Sequence, residues 1–353
     1  IGSELVTNGD FSQIGNELVT NGTFDADSNW SYNASYWNIS GGTANALGVA
    51  NGGFSQTLSV TSGKVYEIKI SSTITSGNGI YSVSLGTNQQ LFDNNTSEIT
   101  TSLVASGNNV TITIHPGASA FSMSNISVKE VGQGWENAYG GEWVISGGKA
   151  TIAVGADGSY LRTVSNILTS GKSYKAVITT SGGLDSNNSV TIYADSNTNQ
   201  KAESDGTHTF YFTADGTSFR FRGVATDRPI SIDSVSLKEV GQDWSFGDGW
   251  GMGDNVAIAT NSASGEKIRQ QNTLSAGKTY KLVYEVTELT LGSFRPVVGA
   301  VNGTTVSSSG VYTDYITTIN DDFYIRAVGT TSGKITNISV KEVGQHWDFG
   351  TGW

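Results

Sequence analysis

Val128-Lys-Glu-Val-Gly-Gln-Gly-Trp135 returns as Leu237-Lys-Glu-Val-Gly-Gln-Asp-Trp244 and again as Val340-Lys-Glu-Val-Gly-Gln-His-Trp347. The three glutamines, Gln133, Gln242 and Gln345, recur at intervals of 109 and 103 residues, a common length for one domain. A second tryptophan follows each copy, at Trp143, Trp250 and Trp353, and Trp30 and Trp37 form a similar pair near the start. An alternating run enters each copy: Ile126-Ser-Val128, Val235-Ser-Leu237 and Ile338-Ser-Val340. The first half of the motif therefore reads as the closing strand of one unit, and its Trp as the start of the next. Only Val-Gly-Gln lies between them, too short for a floppy linker, so the repeat predicts a stiff rod.

Outward from the motif, each unit shows the same landmarks. Trp37-Asn-Ile-Ser-Gly-Gly-Thr-Ala44, Trp143-Val-Ile-Ser-Gly-Gly-Lys-Ala150 and Trp250-Gly-Met-Gly-Asp-Asn-Val-Ala257 are strand, turn and small-residue strand. A Gly-Lys-x-Tyr element follows about twenty residues on, as Gly63–Tyr66, Gly171–Tyr174 and Gly277–Tyr280, and leads into period-2 alternation. Such alternation marks strands with one face buried, because successive side chains point to opposite faces. No stretch of helical periodicity and length appears. Roughly eight short strands per unit, punctuated by Gly and Asn turns, is the pattern of an all-β, antiparallel β-sandwich.

The chain has 353 residues, a net charge of −11 and no cysteine. The negative charge disfavours a nucleic-acid partner, since phosphates are repelled, and no basic cluster is visible along the sequence. Absence of cysteine excludes disulfides and thiolate metal sites. No apolar run approaches the roughly 18 residues of a spanning helix, so membrane insertion is not expected. The chain opens at Ile1 rather than Met and shows no signal peptide, so a piece of a longer protein or a processed form is expected. Near the start, Glu4-Leu-Val-Thr-Asn-Gly-Asp-Phe11 is repeated as Glu17-Leu-Val-Thr-Asn-Gly-Thr-Phe24. The second copy leads into the first unit, and the first reads as a spare strand.

The motifs Leu-Val-Thr-Asn-Gly-x-Phe, Trp-x-Ile-Ser-Gly-Gly-x-Ala, Gly-Lys-x-Tyr and Ile-Asp-Ser-Val-Ser-Leu-Lys-Glu-Val together resemble carbohydrate-binding-module-like jelly rolls of the family 4/9 type. Tandem copies joined by Lys-Glu-Val-Gly-Gln are similar to those of bacteriophage tail fibres and virion surface proteins. The resemblance spans residues 16–343. It implies three tandem jelly-roll sandwiches: a lead-in at 1–15, units at 16–133, 134–242 and 243–344, and a truncated fourth unit at 345–353. It also implies a structural calcium held by an Asp before the last strand. Only Asp233 matches that position, with Ser124 and Thr336 in its place elsewhere, so no calcium common to the three units is expected, and no other cofactor.

Recurrence at a junction assigns Trp30, Trp37, Trp135, Trp143, Trp244, Trp250, Trp347 and Trp353 to packing between units rather than to sugar stacking. A late alternating strand carries better binding candidates: Phe219-Arg-Phe-Arg222, Phe323-Tyr-Ile-Arg326 and Ile112–His115. If the apolar residues face inward, Arg220, Arg222, Tyr324, Arg326 and His115 face outward, and Tyr81 and Tyr193 extend the surface. Planar guanidinium and phenol groups suit acidic or hydroxylated sugars; a plain solvated face is the competing reading. His115, His208 and His346 share no place in the repeat, and no nucleophile–base spacing surrounds them, so no catalysis is expected. The sequence thus points to a virion fibre or adhesion protein, at a virion surface or outside the cell, contacting host polysaccharide, itself or other virion proteins. A filament built by donation of the spare strand is the alternative, and an accessory region of a glycoside hydrolase ranks last.

Overall fold

The computed structural model describes residues 1–49, 52–77, 81–92, 98–109, 111–116, 119–138, 143–195 and 200–344. Trp347, Trp353 and the expected fourth unit lie outside them. Every strand pairing is antiparallel, and the described chain is all-β, with three hydrophobic cores.

In the first sandwich, one sheet runs Trp37–Ser40, Thr43–Leu47, Ala120–Val131, Val65–Ser76, Glu98–Val104. It faces a sheet ordered Phe54–Thr57, Thr111–His115, Tyr81–Leu85, Asn88–Phe92. The second sandwich repeats the plan. Its first sheet runs Trp143–Ser146, Lys149–Ile152, Ile230–Val240, Ser173–Ser181, Gly206–Thr213. The opposing sheet runs Trp135–Ala138, Ala156–Thr163, Phe219–Ala225, Asn188–Ala194, Gln200–Ala202. Strict alternation closes the core: Tyr174, Ala176 and Ile178 are buried along one strand, and Phe219 and Phe221 along another.

The third sandwich departs from the expected short strands. Thr279–Val298 and Phe323–Glu342 are each 20 residues long and belong to both halves, so eight strands form one folded sheet. The pairing shifts register between Thr287 and Ser293, where a long strand turns the corner. The corresponding corner of the second sandwich is interrupted instead, at Gly182–Asn187.

The Gly-Lys-x-Tyr element has the same job three times. Gly63, Gly171 and Gly277 take left-handed φ values of 81°, 81° and 79°, conformations that favour glycine. The following Tyr66, Tyr174 and Tyr280 are buried, and each hydroxyl accepts the backbone N–H five residues upstream, at 2.9, 2.7 and 2.9 Å.

The stretch read as spare is not spare. Glu4–Phe11 lies against the closing strand of the second sandwich, while its repeat Glu17–Phe24 lies in the same way against that of the first. Leu5 N donates to Leu237 O and Leu18 N to Val128 O, both at 3.0 Å. Val235 N donates to Gly9 O at 2.7 Å and Ile126 N to Gly22 O at 2.9 Å. Both glycines are pressed onto the closing strand: a Cβ would stand 2.0 Å from Val235 O at Gly9 and 2.2 Å from Ile126 O at Gly22. Val6 and Phe11 enter the second core, Val19 and Phe24 the first. The reason is chemical identity. Two octapeptides alike except for Asp10 against Thr23 find two like seats, and the first copy reaches past the first unit to the second.

The tryptophans also need correction, for their rings pack inside their own sandwiches rather than between them. Trp37 touches Phe54 and Phe121, and Trp30 stacks on Phe54 at 4.5 Å. Trp135 meets Phe11 and Phe221. Trp143 is fully buried and donates its indole N–H to Ser159 O at 3.2 Å. Trp250 packs on Phe294 and Trp244 on Phe323. A large apolar ring gains most where it is covered on all sides. Other groups make the junctions. Lys64 Nζ donates to Trp135 O at 3.0 Å between the first two sandwiches, and Lys175 meets Asp254 at 2.6 Å between the last two.

Candidate functional site

The late alternating strands place their even-numbered residues on the outer face of the second sheet, and neighbouring strands add more cations. In the second sandwich Arg220 pairs in register with Arg162 and Tyr193, and Arg222 with Tyr160 and Thr191. Lys201 stands beside Thr191 on the next strand. The Arg220 guanidinium lies 5.4 Å from the Tyr160 ring and 5.5 Å from the Tyr193 ring, and donates to Asp195 O at 2.8 Å. It is thereby clamped, which holds the two phenols edge to face 5.9 Å apart.

The third sandwich repeats the face with different strands. Arg326 pairs with Lys267 on one side and Arg295 on the other, and Tyr324 pairs with Arg269. Lys267 sits 4.7 Å above the Tyr324 ring. Arg326 reaches Asn302 Oδ1 at 3.4 Å, and its Nε is buried with no hydrogen-bond partner. The two faces together gather Arg162, Lys201, Arg220, Arg222, Lys267, Arg269, Arg295 and Arg326, eight of the chain's 20 Lys and Arg. Arg162 pairs with Glu136, Lys201 with Glu203 and Arg269 with Asp322. No basic cluster shows along the sequence because these residues come from separate strands, and strand register alone unites them. Tyr160, Arg162, Lys201, Lys267, Arg269 and Arg295 are not legible in the sequence for that reason; the only signal is the parity of each strand.

The corresponding face of the first sandwich is neutral. His115 is half-buried there, in register with Ser82, beside Thr113 and Ser84. Tyr81 does not join it. Its ring is 2% exposed and stacks between Phe92 and Phe121, because it shares the inward parity of Val83 and Leu85. Burial pushes its hydroxyl's pKa up, so it is a core residue, not a surface ligand.

Asp233 accepts from Ser181 Oγ at 2.9 Å and lies 3.8 Å from Lys149 Nζ. Among the described residues no three carboxylate or imidazole groups assemble into a metal site. Two carboxylates do bracket one cation at an end of the second sandwich, where Arg228 bonds Asp227 at 2.9 Å and Asp185 at 3.2 Å. Asn188, fully buried, ties the same loops by donating to Asp185 and Asp227. This is a loop lock, not a ligand set.

The fold and its outer faces define an all-β array of jelly-roll-type sandwiches. No family model and no curated protein matches the sequence. Among solved structures, the chain is similar to the N-terminal CBM22-1–CBM22-2 tandem of Paenibacillus barcinonensis Xyn10C, at 11% identity and a TM-score of 0.29, over 64% of this chain and 98% of that one. It is also similar to a chain in the atomic structure of Sulfolobus Turreted Icosahedral Virus, at 15% identity and a TM-score of 0.29, over 93% and 97%. A third likeness is to a chain from a study of the triple jelly roll fold and turret assembly in an archaeal virus, at 13% identity and a TM-score of 0.27, over 89% of each chain.

Proposed function

We propose that this chain is a non-catalytic structural and binding protein of an exposed surface, a segment of a virion fibre or adhesion protein. Its second and third sandwiches contact acidic host-surface polysaccharide through the outer faces built around Arg222 and Arg326. The observation that carries this reading is the gathering of eight of 20 cations, with Tyr160, Tyr193 and Tyr324, on two corresponding faces of a chain whose net charge is −11. Guanidinium forks pair with sugar carboxylates in two parallel hydrogen bonds, and two faces on one chain raise avidity above that of either. The tandem repeat supports an extended, rod-like carrier that holds these faces away from its base.

Retention on immobilised acidic and neutral polysaccharides tests the proposal. Binding is expected to acidic chains, to fall steeply with salt, and to weaken about tenfold or more in Arg222→Ala/Arg326→Ala. Equal retention of the variant would overturn these faces as the site, and no retention on any polysaccharide or host envelope would leave only a spacer. The filament reading loses its spare strand, since Glu4–Phe11 is seated within its own chain.

A further inference from the structure

The third sandwich has the seat for a Glu-Leu-Val-Thr-Asn-Gly-x-Phe segment and, among the described residues, no segment in it. In the first two sandwiches the seat has four parts. The Glu carboxylate clips the closing strand: Glu17 accepts from Val128 N at 2.8 Å and from Ser127 Oγ, and Glu4 from Leu237 N at 2.8 Å and Ser236 Oγ at 2.6 Å. The segment's backbone pairs with that strand, as described above. The first Trp of the unit donates to the segment's Asn carbonyl, Trp30 to Asn21 O at 3.0 Å and Trp135 to Asn8 O at 3.1 Å. The terminal Phe then covers the same indole, Phe24 on Trp30 at 5.8 Å and Phe11 on Trp135 at 5.4 Å.

Every receiving group recurs in the third sandwich. Ser339 and Val340 stand where Ser127 and Val128, or Ser236 and Leu237, stand in the motif, and Trp244 stands for Trp30 and Trp135. Yet Thr279–Val298 is the only strand beside residues 338–342 among the described residues. Neither the Ser339 hydroxyl nor the Trp244 indole N–H makes a hydrogen bond there. Val128 and Leu237 are fully buried, whereas Val340, Ile338 and Trp244 are half-exposed. Two hollows flank Trp244 and Ile338. One of about 160 Å³ is lined further by Phe246, Ala257, Ile268 and Ile335, and one of about 290 Å³ by Leu274, Tyr280, Phe323 and Val340. A space of roughly 150 Å³ holds a benzene ring, so either takes a Phe or Val side chain.

We infer that this groove is a docking site for a third Glu-Leu-Val-Thr-Asn-Gly-x-Phe segment, presented by a partner polypeptide that adds as an extended strand. A second copy of this chain is the poorer donor. Moving its Glu4–Phe11 onto a neighbour would empty its own second sandwich, trading one filled seat for another and losing the proximity of a tethered segment. The inference stands independently of carbohydrate binding, because the groove lies at the closing strand and not on the basic faces.

The probe is a fluorescein-labelled peptide, Gly-Ser-Glu-Leu-Val-Thr-Asn-Gly-Asp-Phe-Ser-Gln, titrated into the full chain. One equivalent is expected to bind. Replacing Glu or Phe in the peptide, or Trp244→Ala or Ser339→Ala in the protein, weakens binding about tenfold or more, with the circular dichroism of the protein unchanged. A chain lacking residues 1–13, if folded, is expected to bind two equivalents; Phe11→Ala serves where the deletion does not fold. No binding to the full chain, or binding indifferent to Trp244→Ala and Ser339→Ala, overturns the site. Concentration-dependent association of the bare protein in sedimentation, abolished by Glu4→Ala and by Trp244→Ala alike, would make a second copy the occupant and overturn the choice of partner.

Discussion

Phe11 lies more than a hundred residues ahead of the core it enters, and replacing it tests the topology directly. The ring is 3% exposed, sits 5.4 Å from that of Trp135, and belongs to the core of the second sandwich. Truncating a buried Phe to Ala costs about 3 kcal/mol or somewhat more. Residues 1–13 are held to the second sandwich through few other apolar groups, chiefly Val6 and, in part, Leu5. The loss therefore falls first on docking of the segment. At about 1.4 kcal/mol per decade, Phe11→Ala raises the opening constant of residues 1–13 roughly 100-fold. Hydrogen exchange read by mass spectrometry resolves the outcome by segment. Peptides covering 1–13 and 230–240 are expected to lose protection, because Gly2, Leu5, Gly9 and Val235 exchange backbone hydrogen bonds across that seam. Peptides covering 120–131 stay protected, since Glu17–Phe24 covers them. Phe24→Ala should give the reverse. Loss of protection at 120–131 in Phe11→Ala, with 230–240 unchanged, would refute the crossed seating of the two copies.

Three further outcomes follow from the geometry. Burial alone would raise the Glu4 carboxyl, but hydrogen bonds from Ser236 Oγ and the Leu237, Val6 and Leu5 amides outweigh it and hold the pKa below its ordinary 4.5. Its folded value is depressed, so the stabilisation is complete above the unfolded value and fades as pH falls through the folded one. Protection of residues 1–13 relative to the intrinsic exchange rate should fall as pH drops below the ordinary 4.5, and Glu4→Gln should flatten that dependence. Tyr66→Phe, Tyr174→Phe and Tyr280→Phe each remove one acceptor and should lower the stability of the first, second and third sandwich respectively by about 1 kcal/mol, read in urea unfolding. Trp143→Phe strands the Ser159 carbonyl, whereas the Trp250 indole N–H is buried without a partner. Trp250→Phe is therefore expected to cost about 1 kcal/mol less than Trp143→Phe by the same measurement.

Much of the architecture was legible in local chemistry. Period-2 runs such as Ser173–Ser181 bury alternate residues because a strand's side chains alternate faces, and the Gly-Lys-x-Tyr turns needed a left-handed glycine wherever they occurred. The outward parity of Arg220, Arg222, Tyr324 and Arg326 was readable from Phe219, Phe221, Phe323 and Ile325 between them. Tyr81 was misplaced although the same rule was available, for Ser82 and Ser84 alternate with Val83 and Leu85 and so give Tyr81 the inward parity.

Which strands lie side by side was not legible, and function rests on that. Arg295 and Arg326 meet only through pairing of two strands whose register depends on a corner between Thr287 and Ser293. Arg162 and Arg220 meet across 57 residues of intervening chain. The repeated octapeptide shows the division most plainly. Sequence alone establishes that Glu4–Phe11 and Glu17–Phe24 are the same element, since local propensity and turn chemistry depend on nearby residues. Only the tertiary structure decides that the earlier copy serves the later sandwich, and that among the described residues no such segment lies over Ser339, Val340 and Trp244 of the third. Seating is a contest among distant, chemically equal surfaces, and chain connectivity and reach settle it where no local signal differs.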